Sequence, residues 1–581
     1  MRSNSTAALM ALALSSATAI FQAGPAFAEE PQKGGTLRIL GSAEVDRFDT
    51  IPPATSDAVN FQRAVWRQLI SFAASADTAE QVKAVGDLAE DVPVPTNNGL
   101  TYTFKLRQGA MWNAPGGARQ ITSEDIERGF KRMCNPAIGS PHLTYFENLI
   151  VGLADYCAGF AKVEAKVEPM KAYIEANDIT GIETPSADVV TFNLKTPAND
   201  FIYLLSLATA APAPVEVLNY MPDSPEYRTN FISNGPYTIE SYVPDSMLRL
   251  VRNPAWKPET DPLRKAYVDA IEIVAGVQAD AAMQQLQSGD GDMLYDHSIP
   301  PASAQMLIAQ GDEKMSTVTT GRTRFVWINT VSNNNGGALK NVKVRQALSY
   351  AMDKAAIVQQ LGGPTFAKPL NGIFPPNVIG YHEFDLYPSK DAKGDPEKAK
   401  ALLTEAGYPN GLKLKMPYRN IGSDPALAQT IQESLKKAGF EIEISPVPPA
   451  DFYPRLITNF SNAQNGVWDL VPAGWSPDWP GGAAGSIFLP QYSYNGTHGT
   501  FNFSDYNSDR ANELAAKASA TTDAEESVKL WQQVDETVMA DAPTVPLVAV
   551  YTMLYHGPAV RNFLPYAPGG QGDWTNVWLS R

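Results

Sequence analysis

Strand-like and helix-like segments take turns along the whole of this 581-residue chain, and that interleaving leaves few folds open. Thr36 to Leu40 reads as a strand, and Thr101 to Leu106 alternates as a half-buried strand does. Thr122 then stands as a helix cap, with Glu124 and Asp125 in the first turn at the positive end of the helix dipole. Further strands are expected at Val189–Leu194, Leu248–Val251 and Ile271–Val274. The apolar spacing of Ala347, Leu348, Ala351 and Met352 predicts a helix from Val342 with one buried face. Asp395-Pro396-Glu397 opens another helix, with Pro at its first position, and Ala406-Gly407 stops it. Pro425 to Ala438 repeats that design and ends at Gly439, and Ala524 to Met539 is a late helix. The reading is an α/β body without internal repeats. Its length implies more than one domain or one large lobed body.

Composition narrows the classes of function. Hydrophobic residues make up 44% and charged residues 19%, which suits a folded chain and excludes wholesale disorder. Against 62 acidic residues stand 46 Lys and Arg, a formal charge of −16. That balance argues against nucleic acid as a partner, because phosphate binding needs basic surface. The first residues read as a cleavable export leader: Arg2 is the basic region, Ala7 to Phe21 the apolar run, and Ala26-Phe27-Ala28 the cleavage signal, cut after Ala28. No Cys near that site offers a lipid anchor, and no later run is long and apolar enough for a membrane helix. The expectation is an exported, periplasmic protein. In that oxidising compartment the two cysteines, Cys134 and Cys157, are expected to form a disulfide; two buried free thiols are the other reading.

Several chemistries find no motif. The five His show no metal-ligand spacing, and no His-Glu-x-x-His occurs. Gly474-Trp475-Ser476-Pro477-Asp478 approaches a hydrolase nucleophile elbow and fails at its last position. There is no phosphate-binding loop and no dinucleotide fingerprint, and Asp290-Gly291-Asp292 reads as a solvated turn rather than a calcium loop. The expectation is no enzyme, no cofactor and no metal site. A pair of glycosidase carboxylates stays open, since the two need not be close in sequence.

Other segments carry a family likeness. They are Lys33-Gly34-Gly35-Thr36-Leu37, then Glu44 to Asp49, then Thr103 to Gly109 with Trp112. Ser233-Asn234-Gly235-Pro236-Tyr237 and Arg252-Asn253-Pro254 with Trp256 follow. After them come Val344 to Lys354, Asp395 to Gly411, Gly474 to Pro480, and Pro543 with Pro546. In this order the chain resembles the large extracytoplasmic solute-binding proteins of peptide-type ABC transporters, family 5, which include dipeptide, oligopeptide and nickel binders. It departs where Phe48-Asp49-Thr50 replaces the usual Leu-Asp-Pro.

The resemblance implies a two-lobed periplasmic-binding-protein-like fold, an extra subdomain in the first lobe and a ligand cleft between lobes. The first lobe would take 29–74, 197–297 and 540–581, the extra subdomain 75–196, and the second lobe 298–539. The solute would be a peptide, lying extended and delivered to permease subunits in the membrane by a monomeric receptor. The alternatives in the same fold are an oligosaccharide, an opine-like sugar conjugate or a metal chelate. Asp478 matches the acid that meets a peptide's α-amino group. Gly474, Trp475 and Trp479 match the surrounding cleft loop, and the two indoles equally suit a sugar face. Glu44 and Val45 match a ligand-touching segment of the first lobe. Of Arg322 and Arg324, one would meet a ligand carboxylate or form a hinge-side salt bridge. Tyr492, just after the cleft loop, faces either ligand or solvent.

Overall fold

The computed structural model describes residues 30–51, 58–140, 142–318, 320–482, 484–494 and 501–581. The export leader expected at 1–28 lies outside the described residues.

The first lobe is built on a five-stranded sheet. Thr36–Leu40 lies between Met293–Leu294 and Ala270–Val274, parallel to both, and Met247–Arg252 and Tyr237–Val243 extend the sheet antiparallel. Leu37 and Ile39 alternate with exposed Arg38, so one face of the strand joins a core with Phe61, Trp66, Trp112, Tyr237 and Trp574. The chain's end returns here, where Trp578–Leu579 pairs with Val560–Arg561.

The inserted subdomain holds a three-stranded antiparallel sheet with Val189–Asn193 between Thr101–Lys105 and Ile182–Ser186. The helix Ser123–Met133 starts where expected: the Asp125 carboxylate accepts from the Thr122 N–H at 3.1 Å and from the Trp112 indole at 2.9 Å. At its other end Cys134 is bonded to Cys157 in the helix Leu153–Phe160, with Cα atoms 5.0 Å apart. Closing that loop stabilises by about 3 kcal/mol on the chain-entropy account.

The second lobe has an antiparallel sheet ordered Ala367–Pro369, Thr544–Val550, Thr323–Ile328, Leu470–Trp475, with a parallel pair, Leu412–Arg419 and Phe440–Val447, beside it. The helices Val342–Ala351, Pro396–Glu405 and Asp424–Lys436 cover it through Leu348, Leu403, Leu427 and Ile431. Asp395 caps the second of them, accepting from the Lys398 N–H at 2.9 Å.

Strand pairing moves the expected lobe borders. Thr544–Val550, expected in the first lobe, is held on both sides by second-lobe strands. The helix Pro301–Gln310, expected in the second lobe, packs through Ala304 and Leu307 on Leu40, Ala282 and Leu286 of the first. The two crossings therefore run near residues 320–323 and 550–552, next to the antiparallel pair Met315–Val318 and Thr552–Tyr555. The subdomain's core also runs without a break into the second lobe, from Tyr102, Phe130 and Phe192 through Phe201 of the first lobe to Trp479, Phe488, Trp531 and Val538.

Candidate functional site

The strand Leu470–Trp475 leaves its sheet at Trp475, and the loop Ser476–Pro480 follows it into the space between lobes. Pro477 and Pro480 bracket Asp478-Trp479 and restrict the backbone there. Gly481 comes next at φ +74°, where a Cβ would stand 2.3 Å from the carbonyl oxygen of Val82 in the subdomain. Only glycine permits both that backbone and that approach.

The loop walls a cavity of about 250 Å³. The opposite wall comes from Met293–Ser298 and Ala567–Gly572 of the first lobe, and the hinge side from Arg322 and Thr552–Tyr555. Asp478, Trp479 and Pro480 also border a side chamber of about 70 Å³, whose far wall holds Gln62, Arg63, Arg264 and Tyr566. Asp478 thus stands at the junction of the two spaces.

The Asp478 carboxylate is exposed, and it accepts a hydrogen bond from the hydroxyl of Tyr145 in the subdomain. Burial, and then the charge of Asp478, hold the Tyr145 hydroxyl well above the ordinary phenol range. Trp479 is 3% exposed and meets the Tyr145 ring edge-on at 5.4 Å. The His142 ring lies nearly parallel to that of Tyr145, with centroids 6.1 Å apart. Burial lowers the imidazole's pKa, against the pull of the Asp478 charge. Among the described residues, no cation pairs with Asp478.

The far wall of the side chamber belongs to a buried ionic network. Arg264 donates to Asp87 at 2.9 Å, to both oxygens of Asp261 at 3.3 Å and to the Arg63 carbonyl at 2.9 Å. Those carboxylates raise its already high pKa against the burial that would lower it. Arg67 joins Asp87 from the other side at 2.8 Å. Arg63 pairs with Asp573 at 2.9 Å and lies over the Tyr566 ring, its Cζ 4.1 Å from the centroid.

Of the residues expected at the cleft, Asp478 and Trp479 line it, and Arg322 lines the cavity from the hinge side. The rest stand elsewhere. Glu44 accepts from the Tyr242 hydroxyl and the Asp245 N–H, both at 2.8 Å, which turns it onto a first-lobe hairpin. Val45 is 1% exposed in the first-lobe core. Arg324 pairs with Asp424 at 2.6 Å. Tyr492 is buried in the shared core beside Phe488. Trp475 is half-buried, with its ring edge-to-face on Phe501 at 5.2 Å. Gly474 pairs with Arg324 inside the sheet. Tyr145, His142 and Arg63 escaped sequence reasoning.

Two lobes, two crossings and a cleft between them define a binding protein that closes on a solute. The family described as bacterial extracellular solute-binding proteins, family 5 Middle, matches residues 83–487, and the chain belongs to it. Heme-binding protein A of Haemophilus influenzae is 27% identical over 513 residues, 86% of this chain and 84% of that one. Glutathione-binding protein GsiB of Escherichia coli is 24% identical over 494 residues, 83% of this chain and 84% of its own. Among solved structures, clavulanic acid biosynthesis oligopeptide binding protein 2 superposes with a TM-score of 0.82 at 26% identity, covering 95% of this chain and 96% of that one. The chain is therefore a solute-binding protein of ABC transporters for peptide or related solutes, and its relatives are binding proteins rather than enzymes. No helix among the described residues is long and apolar enough to cross a membrane.

Proposed function

We propose that this protein is a periplasmic receptor, exported by its N-terminal leader, that captures a short peptide-type solute through the solute's ammonium group and passes it to an ABC permease. One observation carries the reading: a carboxylate, Asp478, lines the interlobe cavity with a tyrosine hydroxyl on it and, among the described residues, no cation paired with it. Closure around a ligand removes water from that charge, and an ammonium group is its natural partner there. Peptide backbone adds hydrogen bonds that do not depend on side chains. The relatives named for haem, glutathione and oligopeptides show how widely this family's cargo varies. A sugar gains less support, because the Trp479 face is already covered.

Isothermal calorimetry of Asp478→Asn with di-, tri- and tetra-alanine tests the reading. Breaking a buried, hydrogen-bonded charge pair costs about 2–5 kcal/mol, so affinity should fall at least thirtyfold. Equal affinity in a folded variant removes Asp478 from the site, and binding of a sugar but no peptide replaces the reading with its alternative.

A further inference from the structure

A second cavity, of about 240 Å³, shares no lining residue with the interlobe cavity. Three parts of the fold wall it. Pro93, Pro95 and Tyr102 come from the subdomain, Asp200 and Tyr203 from the first lobe, and Trp531 from the second. The walls meet closely at two glycines. A Cβ on Gly99 would stand 3.2 Å from Thr522 Cγ2 across the boundary with the second lobe, and one on Gly482 would stand 2.3 Å from the Tyr203 ring.

Asp200 is the one carboxylate among the described residues that line this cavity, and no Lys, Arg or His stands with it. It is half-buried, and its Oδ2 lies 3.0 Å from where a Cβ on Gly485 would be. It accepts from its own backbone N–H, and among the described residues no cation pairs with it. The Tyr102 hydroxyl on the same wall donates instead to the Ala198 carbonyl, at 3.0 Å. Burial raises the Asp200 pKa to about 6, so the group is mostly ionised at neutral pH. A carboxylate held away from water without a counter-ion costs free energy, and a cation beside it recovers that cost.

The rest of the wall restricts which cation fits. A metal ion takes six or so oxygen ligands, more than one carboxylate supplies. An organic ammonium takes one charge and an apolar surround, and the rings of Tyr and Trp attract it. Tyr102, Tyr203 and Trp531 bring three such rings to the same walls. At ~30 Å³ for each water-sized unit, the room is that of about eight non-hydrogen atoms.

We infer that this cavity is a second ligand site, separate from the cleft, for a small organic cation: the ammonium group on Asp200 and an apolar body among Tyr102, Tyr203 and Trp531. Its occupant touches the subdomain and the second lobe together.

The test uses benzylamine and its neutral counterpart benzyl alcohol, by calorimetry at neutral pH. Both are titrated into Asp478→Asn, where the carboxylate of the cleft cannot contribute, and into the double variant Asp478→Asn, Asp200→Asn. The amine should bind Asp478→Asn at least tenfold more tightly than the alcohol, and the double variant should lose that preference. Equal binding of the two compounds, no binding of the amine at millimolar concentration, or a preference that survives in the double variant overturns the site. The outcome does not depend on whether the cleft takes a peptide. If the double variant fails to fold by circular dichroism, Ala520→Trp takes the place of Asp200→Asn. Ala520 is exposed on the rim of the cavity, so a large ring there should fill the mouth without unfolding the protein. It should weaken benzylamine at least tenfold, and unweakened binding overturns the site.

Discussion

At the residue scale, the buried acids decide how this protein answers to pH. Asp535 is fully buried, and burial raises its pKa from the ordinary 3.8 to about 7, although it accepts from the Ile373 N–H at 2.7 Å. Asp200, against the second lobe's Gly485, is raised the same way to about 6. The folded state thus holds protons that the unfolded chain releases at lower pH. Stability from these groups is full below about pH 4 and is lost as pH rises through about 6 to 7. Lys354 works in the opposite sense: burial lowers it to about 8, so its contribution grows from pH 8 towards 10. Asp535→Asn should melt at a higher temperature than wild type at pH 8, with the gap closing towards pH 5 in thermal scans by circular dichroism. A gap independent of pH would remove Asp535 as its source. None of this is legible in sequence, where Asp535 is one acid among the 62. Asp478 was legible because two prolines and two tryptophans surround it in a short motif. Its partner Tyr145 lies 333 residues away, with no motif of its own.

At the scale of elements, local rules carried most of the reading. The helix at Pro396 begins where its proline predicts, the one expected from Pro425 begins one residue earlier at Asp424, and those read from Val342 and Ala524 begin there, since such signals act within a few turns of chain. Strand partners did not follow, because pairing depends on residues distant in sequence. Nothing near Thr544 shows that its strand will lie against Thr323–Ile328 rather than in the first lobe. The loop after Leu470–Trp475 depends equally on distant contact, since Gly481 tucks under Val82. Gly481→Ala forces a side chain into left-handed backbone, about 1–2 kcal/mol by itself. The clash with the Val82 carbonyl adds to that. The variant should show a lower urea midpoint and weaker ligand binding together. An unchanged midpoint would mean that the loop lifts away without cost.

At the scale of the whole molecule, the subdomain is the part that sequence placed in one lobe and packing ties to the other. Asn199, three residues past the subdomain's end in the first lobe, adds polar bonds to the same tie. Its amide donates to the Ala518 carbonyl at 3.0 Å, the Thr521 carbonyl at 2.9 Å and the Ser527 hydroxyl at 2.9 Å, all in the second lobe. With Tyr145 on Asp478, it latches the cleft shut from outside the cavity. The double variant Asn199→Ala, Tyr145→Phe should give a larger radius of gyration by small-angle X-ray scattering without ligand, and ligand should restore the wild-type value. An unchanged radius would leave the apolar contact alone as the holding force. That apolar contact, the unbroken core from Phe201 to Trp531, has a consequence of its own. To open the cleft by swinging the subdomain clear, the protein must wet aromatic and aliphatic surface that it covers when closed. Water ordered on that surface takes up heat, so the open form carries the larger heat capacity. In the opened double variant the binding enthalpy should then become steeply more negative on warming, a slope that the burial of a small solute alone cannot supply.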